Sequence, residues 1–249
     1  MKLLLLLCGE AFRDTIGRSR DTDFGFSNQQ EASNSHVKLL EKLESINYQV
    51  DIAINTYETK FKNDLLNFYK NIVFSNFTNE NYGAHNFSVG NSIKNTFSVL
   101  DIDNYDFLFI CRIDLLLKDI FIESFVPNPN FIIYPNVMSI EFNKISFPHI
   151  SDTFCIIPKK YFHPFDNWKG IFENCNYLLF HQAVHHILLN GLTLNDVDFI
   201  SDKIYVANTI QSKNPLYRIN SRKEADDIRR CDKNLKYDKS NNRIIHENN

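Results

Sequence analysis

Runs that are apolar throughout alternate in this chain with runs that are apolar along one face only. Lys2–Cys8 is five leucines closed by a cysteine, the pattern of a strand buried on both sides of a parallel sheet. Gln29–Ile46 carries Val37, Leu40 and Leu43, with Leu39 and Ile46, at helical spacing, and Ser27 with Gln30 fits a capping box at its start. Tyr48–Asn55 is expected as a second strand, Phe61–Ile72 as a helix with Leu65, Phe68 and Tyr69 inward, and Ile72–Ser75 as a short third strand. Phe87–Leu100 reads as another helix and Tyr105–Arg112 as a fourth strand. Strands and helices alternating in this way predict βαβ crossovers, an α/β fold and a mostly parallel, Rossmann-like central sheet flanked by helices.

The second half changes character. Phe131–Tyr134 and Thr153–Ile157 look like short strands joined by a connection that carries Pro135 and Pro148. Tyr177–Leu189 reads as an apolar helix with Gly191 at its C-terminal cap, and Lys203–Asn208 as a last strand. From Ser221 onward the chain is charged and poor in apolar residues, which predicts a loose tail.

Composition narrows the class. The 249 residues are 43% hydrophobic, and 22 Phe with 11 Tyr make an aromatic core. A net charge of −3 and a pI near 6.2 argue against a nucleic-acid partner, which calls for a basic face. Five cysteines without a C-x-x-C pair indicate a reducing, cytoplasmic setting with neither structural zinc nor a disulfide framework. The Met1–Cys8 run is read as a buried strand and not a signal peptide, because it is short and Glu10, Arg13 and Asp14 follow at once. No segment approaches the roughly 18 apolar residues of a membrane span.

Of the seven glycines, none forms a G-x-G-x-x-G after the first strand or a G-x-x-x-x-G-K-[ST]. A bound nucleotide would therefore have its phosphates held by side chains or a metal. The fourth strand ends in Arg112-Ile113-Asp114, a cation and a carboxylate two positions apart that share a strand face. Side by side in an open pocket they suit a diphosphate; the alternative is an internal salt bridge. Gly9 and Arg13 follow the first strand, as a backbone approach and a phosphate contact or as a turn glycine and a solvated arginine. Thr56 and Tyr57 end the second strand, beside that loop or as an ordinary strand end. Asp152 is either a base for an acceptor hydroxyl or the cap of a turn. His181 and His185, at i and i+4, lack the glutamate of a zinc hydrolase, since Gln182 cannot take a proton; they line a cleft or flank the core. Arg218 either folds over a diphosphate or stays on the surface, and Trp168 either stacks on a sugar or fills core.

Three segments carry a family resemblance: Leu7-Cys8-Gly9-Glu10-Ala11-Phe12-Arg13, Val50-Asp51-Ile52-Ala53-Ile54-Asn55-Thr56-Tyr57, and Tyr105-Asp106 through Arg112-Ile113-Asp114-Leu115-Leu116. The chain resembles GT-A-type glycosyltransferases, of the divergent sort found in large DNA viruses and polysaccharide-synthesis clusters. The resemblance implies one domain over residues 1–220, with a nucleotide-binding half (1–118), an acceptor half (119–220) and a tail (221–249). It implies a nucleotide-sugar donor, UDP- or GDP-linked, a glycan or glycoprotein acceptor, and a cytoplasmic setting, the host's if the source is viral. It assigns Arg112, Asp114 and Asp152 to catalysis, and Gly9, Arg13, Thr56, Tyr57, Arg112, His181, His185 and Arg218 to substrate. Asp114 matches the second carboxylate of the family's D-x-D motif and would hold Mn²⁺ or Mg²⁺; Arg112 replaces the first. The other classes left open are a non-catalytic nucleotide- or sugar-binding module and a nucleotidyltransferase, for which Gly17-Arg18-Ser19-Arg20 supplies only a thin version of the basic, glycine-bearing loop expected after the first strand.

Overall fold

The computed structural model describes residues 1–14, 19–79, 85–135, 137–142, 145–150, 153–162, 196–200, 205–206, 216–219, 235–238 and 243–246. The chain divides into two compact units, Met1–Pro127 with Gln211–Glu224, and Asn128–Ile210 with Ala225–Asn249.

The first unit is built on β1 (Lys2–Gly9), whose leucines are at most 1% exposed. They are sealed because β1 lies between two parallel neighbours, β2 (Gln49–Tyr57) and β4 (Phe107–Arg112), while β3 (Ile72–Thr78) adds in parallel to β2. The run β4-β1-β2-β3 is that of half a doubly wound sheet, and its order reverses at β1. Helices α1 (Asp23–Ser45), α2 (Lys62–Asn67) and α3 (His85–Phe97) make the crossovers. After β4 come β5 (Leu115–Leu117) and α4 (Asp119–Ser124); β12 (Tyr217–Ile219) returns to pair antiparallel with β5.

Helix α1 begins six residues before the expected Gln29. Its N-cap is Thr22, whose hydroxyl accepts from the Gly25 N–H at 3.0 Å, and Ser27 lies inside the helix, its hydroxyl donating to the Asp23 carbonyl. Periodicity missed Asp23–Asn28 because the one buried residue among them is Gly25, while Phe24 is exposed; within the expected span the inward face starts polar, with Gln29, Ser33 and His36 buried before Leu39, Leu40 and Leu43. Gly25 is required by packing, since a Cβ there would sit 2.3 Å from the Phe12 carbonyl oxygen. Helix α2 is shorter than expected, yet Leu65 and Tyr69 are buried as read.

In the second unit β6 (Ile132–Tyr134) has β9 (Phe154–Pro158) antiparallel and β10 (Val197–Phe199) parallel to it. The stretch expected as a proline-bearing connection is instead a hairpin, β7 (Val137–Phe142) with β8 (Ile145–Ile150). Pro148 misled the reading: proline cannot donate to a ladder, but it is tolerated at this pairing opposite Ser139. Tyr205–Val206 forms β11 on β7, within the expected Lys203–Asn208. The segment read as a loose tail contains a second hairpin, β13 (Leu235–Asp238) with β14 (Arg243–His246). The expected helix Tyr177–Leu189 lies outside the described residues, and no described helix is long and apolar enough to cross a membrane.

Candidate active site

Open parallel sheets bind ligands beyond the carboxyl ends of their strands, where strand order reverses. In this chain that end is formed by β1, β2 and β4 in register: Gly9 stands opposite Thr56, and Cys8 opposite Arg112. The three segments that carry the family resemblance thus converge on one edge. Gly9 has φ 112°, a conformation that side chains strain to adopt, and it turns the chain out of the sheet.

Arg112 and Asp114 are not held apart for a ligand. The guanidinium closes on the carboxylate through two bonds, Nε to Oδ1 at 2.9 Å and Nη2 to Oδ2 at 2.8 Å. The residues are only 8% and 4% exposed. The expectation that they emerge together into an open pocket is therefore corrected to the internal salt bridge. The reason is geometric: one residue between them brings the planar fork within reach of a carboxylate it matches in shape. Burial then makes mutual neutralisation far cheaper than two separate desolvated charges.

The pair bears on the metal expected at Asp114. A divalent ion such as Mn²⁺ or Mg²⁺ takes several oxygen ligands. Both Asp114 oxygens accept from Arg112, and no group of three or more His, Cys, Asp or Glu side chains gathers among the described residues. The described donor set does not fit the metal site that Asp114 was expected to supply.

A polar chain from α1 fixes the segment that follows β4. Gln29 Nε2 donates to the Ile113 carbonyl at 2.9 Å and to Ser33 Oγ at 3.2 Å. The Ser33 and Tyr69 hydroxyls lie 2.9 Å apart, and Tyr69 is 2.9 Å from His36 Nδ1. His36 Nε2 meets the Leu115 carbonyl at 2.8 Å, and the Ser35 hydroxyl accepts from the Leu117 N–H. Burial lowers the His36 pKa to about 4, against the opposing pull of the Leu115 carbonyl and the Asp114 charge, so the ring is neutral. A neutral ring that faces a carbonyl with Nε2 carries its proton there and accepts at Nδ1. Tyr69 then donates to His36, Ser33 to Tyr69 and Gln29 to Ser33, and every member is satisfied. Gln29 Oε1 also accepts from the Phe12 N–H, so one side chain ties the loop after β1 to the segment after β4.

The other residues singled out from sequence fall as follows. Thr56 is 3% exposed and its hydroxyl accepts from the Ala11 N–H at 3.2 Å, which ties the β1 loop to the end of β2. Tyr57 is 9% exposed, and the Arg20 guanidinium lies 4.8 Å from its ring centroid. Arg13 pairs with Glu10 at 3.1 Å, both part-exposed. Arg218, on β12, pairs with Glu31 of α1 at 2.9 Å. Cys8 is no nucleophile, since burial pushes its thiol up to about 12. Asp152, His181, His185 and Trp168 lie outside the described residues. Sequence reasoning weighed Arg20 only as part of a thin basic loop, and it missed Gln29 and His36; Gln29 and His36 at i and i+7, with Ser33 between, were a readable polar stripe on one helix face.

No family model matches the chain, and no curated protein is significantly similar to it. Among solved structures it is similar to a mutant of Drosophila beta-1,4-galactosyltransferase 7 in complex with manganese, UDP-Gal and xylobiose, at 11% identity and TM-score 0.44, covering 88% of this chain and 70% of that one. It is similar also to a glycosyltransferase involved in glycosylation of the major capsid of PBCV-1, at 12% identity and TM-score 0.39, covering 88% and 92%. A third is the inositol-1-phosphate CTP transferase from T. maritima, at 11% identity and TM-score 0.41, covering 82% and 84%. At these TM-scores the likenesses carry no argument about activity, and two kinds of transferase stand among them.

Proposed function

We propose that the protein is a glycosyltransferase that moves a sugar from a nucleoside-diphosphate sugar, UDP- or GDP-linked, to an acceptor hydroxyl of a glycan or glycoprotein. The observation that carries this reading is the convergence of the β1, β2 and β4 ends, with their family-like segments, at the point where strand order reverses. The nucleoside would lie along Gly9 and the ends of β1 and β2. The Gln29 and His36 chain holds the floor beneath it, with Arg112 and Asp114 as a neutral clamp. Three buried cysteines outside any disulfide, Cys8, Cys111 and Cys155, are in keeping with a reducing cytoplasm.

In the transfer the bond from the sugar's anomeric carbon to the diphosphate breaks, and negative charge grows on the departing phosphate oxygen. A preorganised cation there lowers the barrier. The acceptor hydroxyl must lose its proton as it attacks, and Asp152 is the base we assign. With Asp152 in that role the reaction inverts the anomeric carbon. NMR of the product decides: retention removes Asp152 as the base. His181 and His185 are assigned to the acceptor side on the same reading.

The test of the reading is donor turnover. UDP- or GDP-sugar should raise the melting temperature and be cleaved slowly without acceptor, releasing nucleoside diphosphate. Binding without cleavage under any acceptor condition would make the protein a non-catalytic module instead.

A further inference from the structure

We propose that Arg20, with Arg13 across a backbone bridge, forms an anion site for the diphosphate of a nucleoside-diphosphate ligand. The proposal deepens the nucleotide-sugar reading in naming the natural ligand; the anion site itself stands on geometry. Because Arg112 is neutralised by Asp114, the phosphates need cations from elsewhere on the same edge.

The loop after β1 supplies them. Arg13 and Arg20 form an antiparallel bridge, flanked by the Asp14 N–H to the Ser19 carbonyl at 2.8 Å and the Asp21 N–H to the Phe12 carbonyl at 3.1 Å. Residues directly opposite in such a pairing project to the same face, so both arginine side chains leave the backbone on one side of the loop. Two cations on one face attract an anion, and the fork of each matches a phosphate edge. The position is also fixed: Arg20 lies over the Tyr57 ring at the end of β2, one residue from the Thr56 that faces Gly9.

The neighbouring acids Asp21 and Asp14 are not ion-paired with Arg20. Asp21 accepts from the Thr59 hydroxyl and the Lys60 N–H, and Asp14 accepts from the Thr22 hydroxyl. Arg20 forms no ion pair among the described residues; its contact is the aromatic face. Arg13 has Glu10, but at side-chain exposures of 23% and 38% that pair is screened by solvent and yields to a doubly charged phosphate. Asp114, by contrast, is sealed on Arg112.

Isothermal titration in EDTA with three probes tests this: sodium pyrophosphate alone, UDP or GDP, and the matching free nucleoside. The proteins are wild type, Arg20→Ala, Arg20→Lys, Arg13→Ala, and Lys38→Ala as a remote cation control. Arg20→Ala should weaken pyrophosphate and nucleoside-diphosphate binding at least tenfold while the nucleoside and Lys38→Ala are unchanged, and Arg20→Lys should recover only part of the loss. Wild-type affinity for both phosphates in Arg20→Ala overturns the site, as does a wild type that does not bind pyrophosphate. Pyrophosphate binding that depends on Arg20, without any nucleotide binding, upholds the anion site and removes the nucleotide-sugar reading.

Discussion

Arg112 grips Asp114 by both carboxylate oxygens, Nε to Oδ1 at 2.9 Å and Nη2 to Oδ2 at 2.8 Å, at the very end of β4 where a ligand-binding role was expected of each. The two charges cancel within one residue of each other, beneath a surface that leaves them 8% and 4% exposed. Removing one partner would strand the other in a poorly solvated place. Arg112→Ala and Asp114→Ala should each cost about 3–5 kcal/mol of folding stability. Replacing both with apolar residues of similar size, Arg112→Met with Asp114→Leu, should recover most of that. Urea denaturation of the four proteins measures it; single variants of wild-type stability that fail only in ligand binding would show that the pair opens to ligand.

Stability should fall on mild acidification through His36. Its folded pKa is depressed to about 4 from 6.5, so between those values the unfolded chain binds a proton that the folded one refuses. Stability therefore rises with pH across that window. By linkage at about 1.4 kcal/mol per pH unit, the contribution lost on going from neutral pH down to about 4 is on the order of 3 kcal/mol. His36→Gln should flatten that part of the curve of stability against pH; an unchanged slope would assign it to other groups.

Gly25→Ala should be costly although alanine favours helices. The added methyl meets the Phe12 carbonyl oxygen at 2.3 Å, and Phe12 has a backbone φ of 55° with little room to adjust. A loss of about 1–3 kcal/mol by thermal or urea denaturation is expected. A neutral or stabilising effect would mean that the start of α1 shifts freely.

Thr56→Val keeps shape but removes the acceptor for the buried Ala11 N–H. It should lose about 1–3 kcal/mol, whereas Thr56→Ser should lose less, since the hydroxyl remains. Equal stability of both would detach Thr56 from the β1 loop.

The parallel sheet was legible because its strands are buried on both faces and written as unbroken apolar runs, Leu3–Leu7 above all. The start of α1 was not, because Asp23–Asn28 buries only Gly25 and so shows no hydrophobic period. The β7 and β8 hairpin was hidden by Pro148, a residue that normally argues against a strand. At the candidate site, the positions of Gly9, Thr56 and Arg112 followed from strand ends alone. What sequence could not decide was whether each charge meets a ligand or a partner within the chain. Arg112 and Asp114 choose each other, and the placement of Arg20 on Tyr57 by a loop bridge was not legible from its place in a thin basic loop.

The most direct test of sugar transfer is release of nucleoside diphosphate from a panel of UDP-, GDP-, CMP- and dTDP-sugars, CMP being scored as the monophosphate, with and without Mn²⁺. The expected result is saturable cleavage of a UDP- or GDP-sugar, stimulated by a sugar acceptor and reduced at least tenfold in Arg20→Ala. No cleavage and no thermal stabilisation by any donor at millimolar concentration, with the protein folded, would contradict the account.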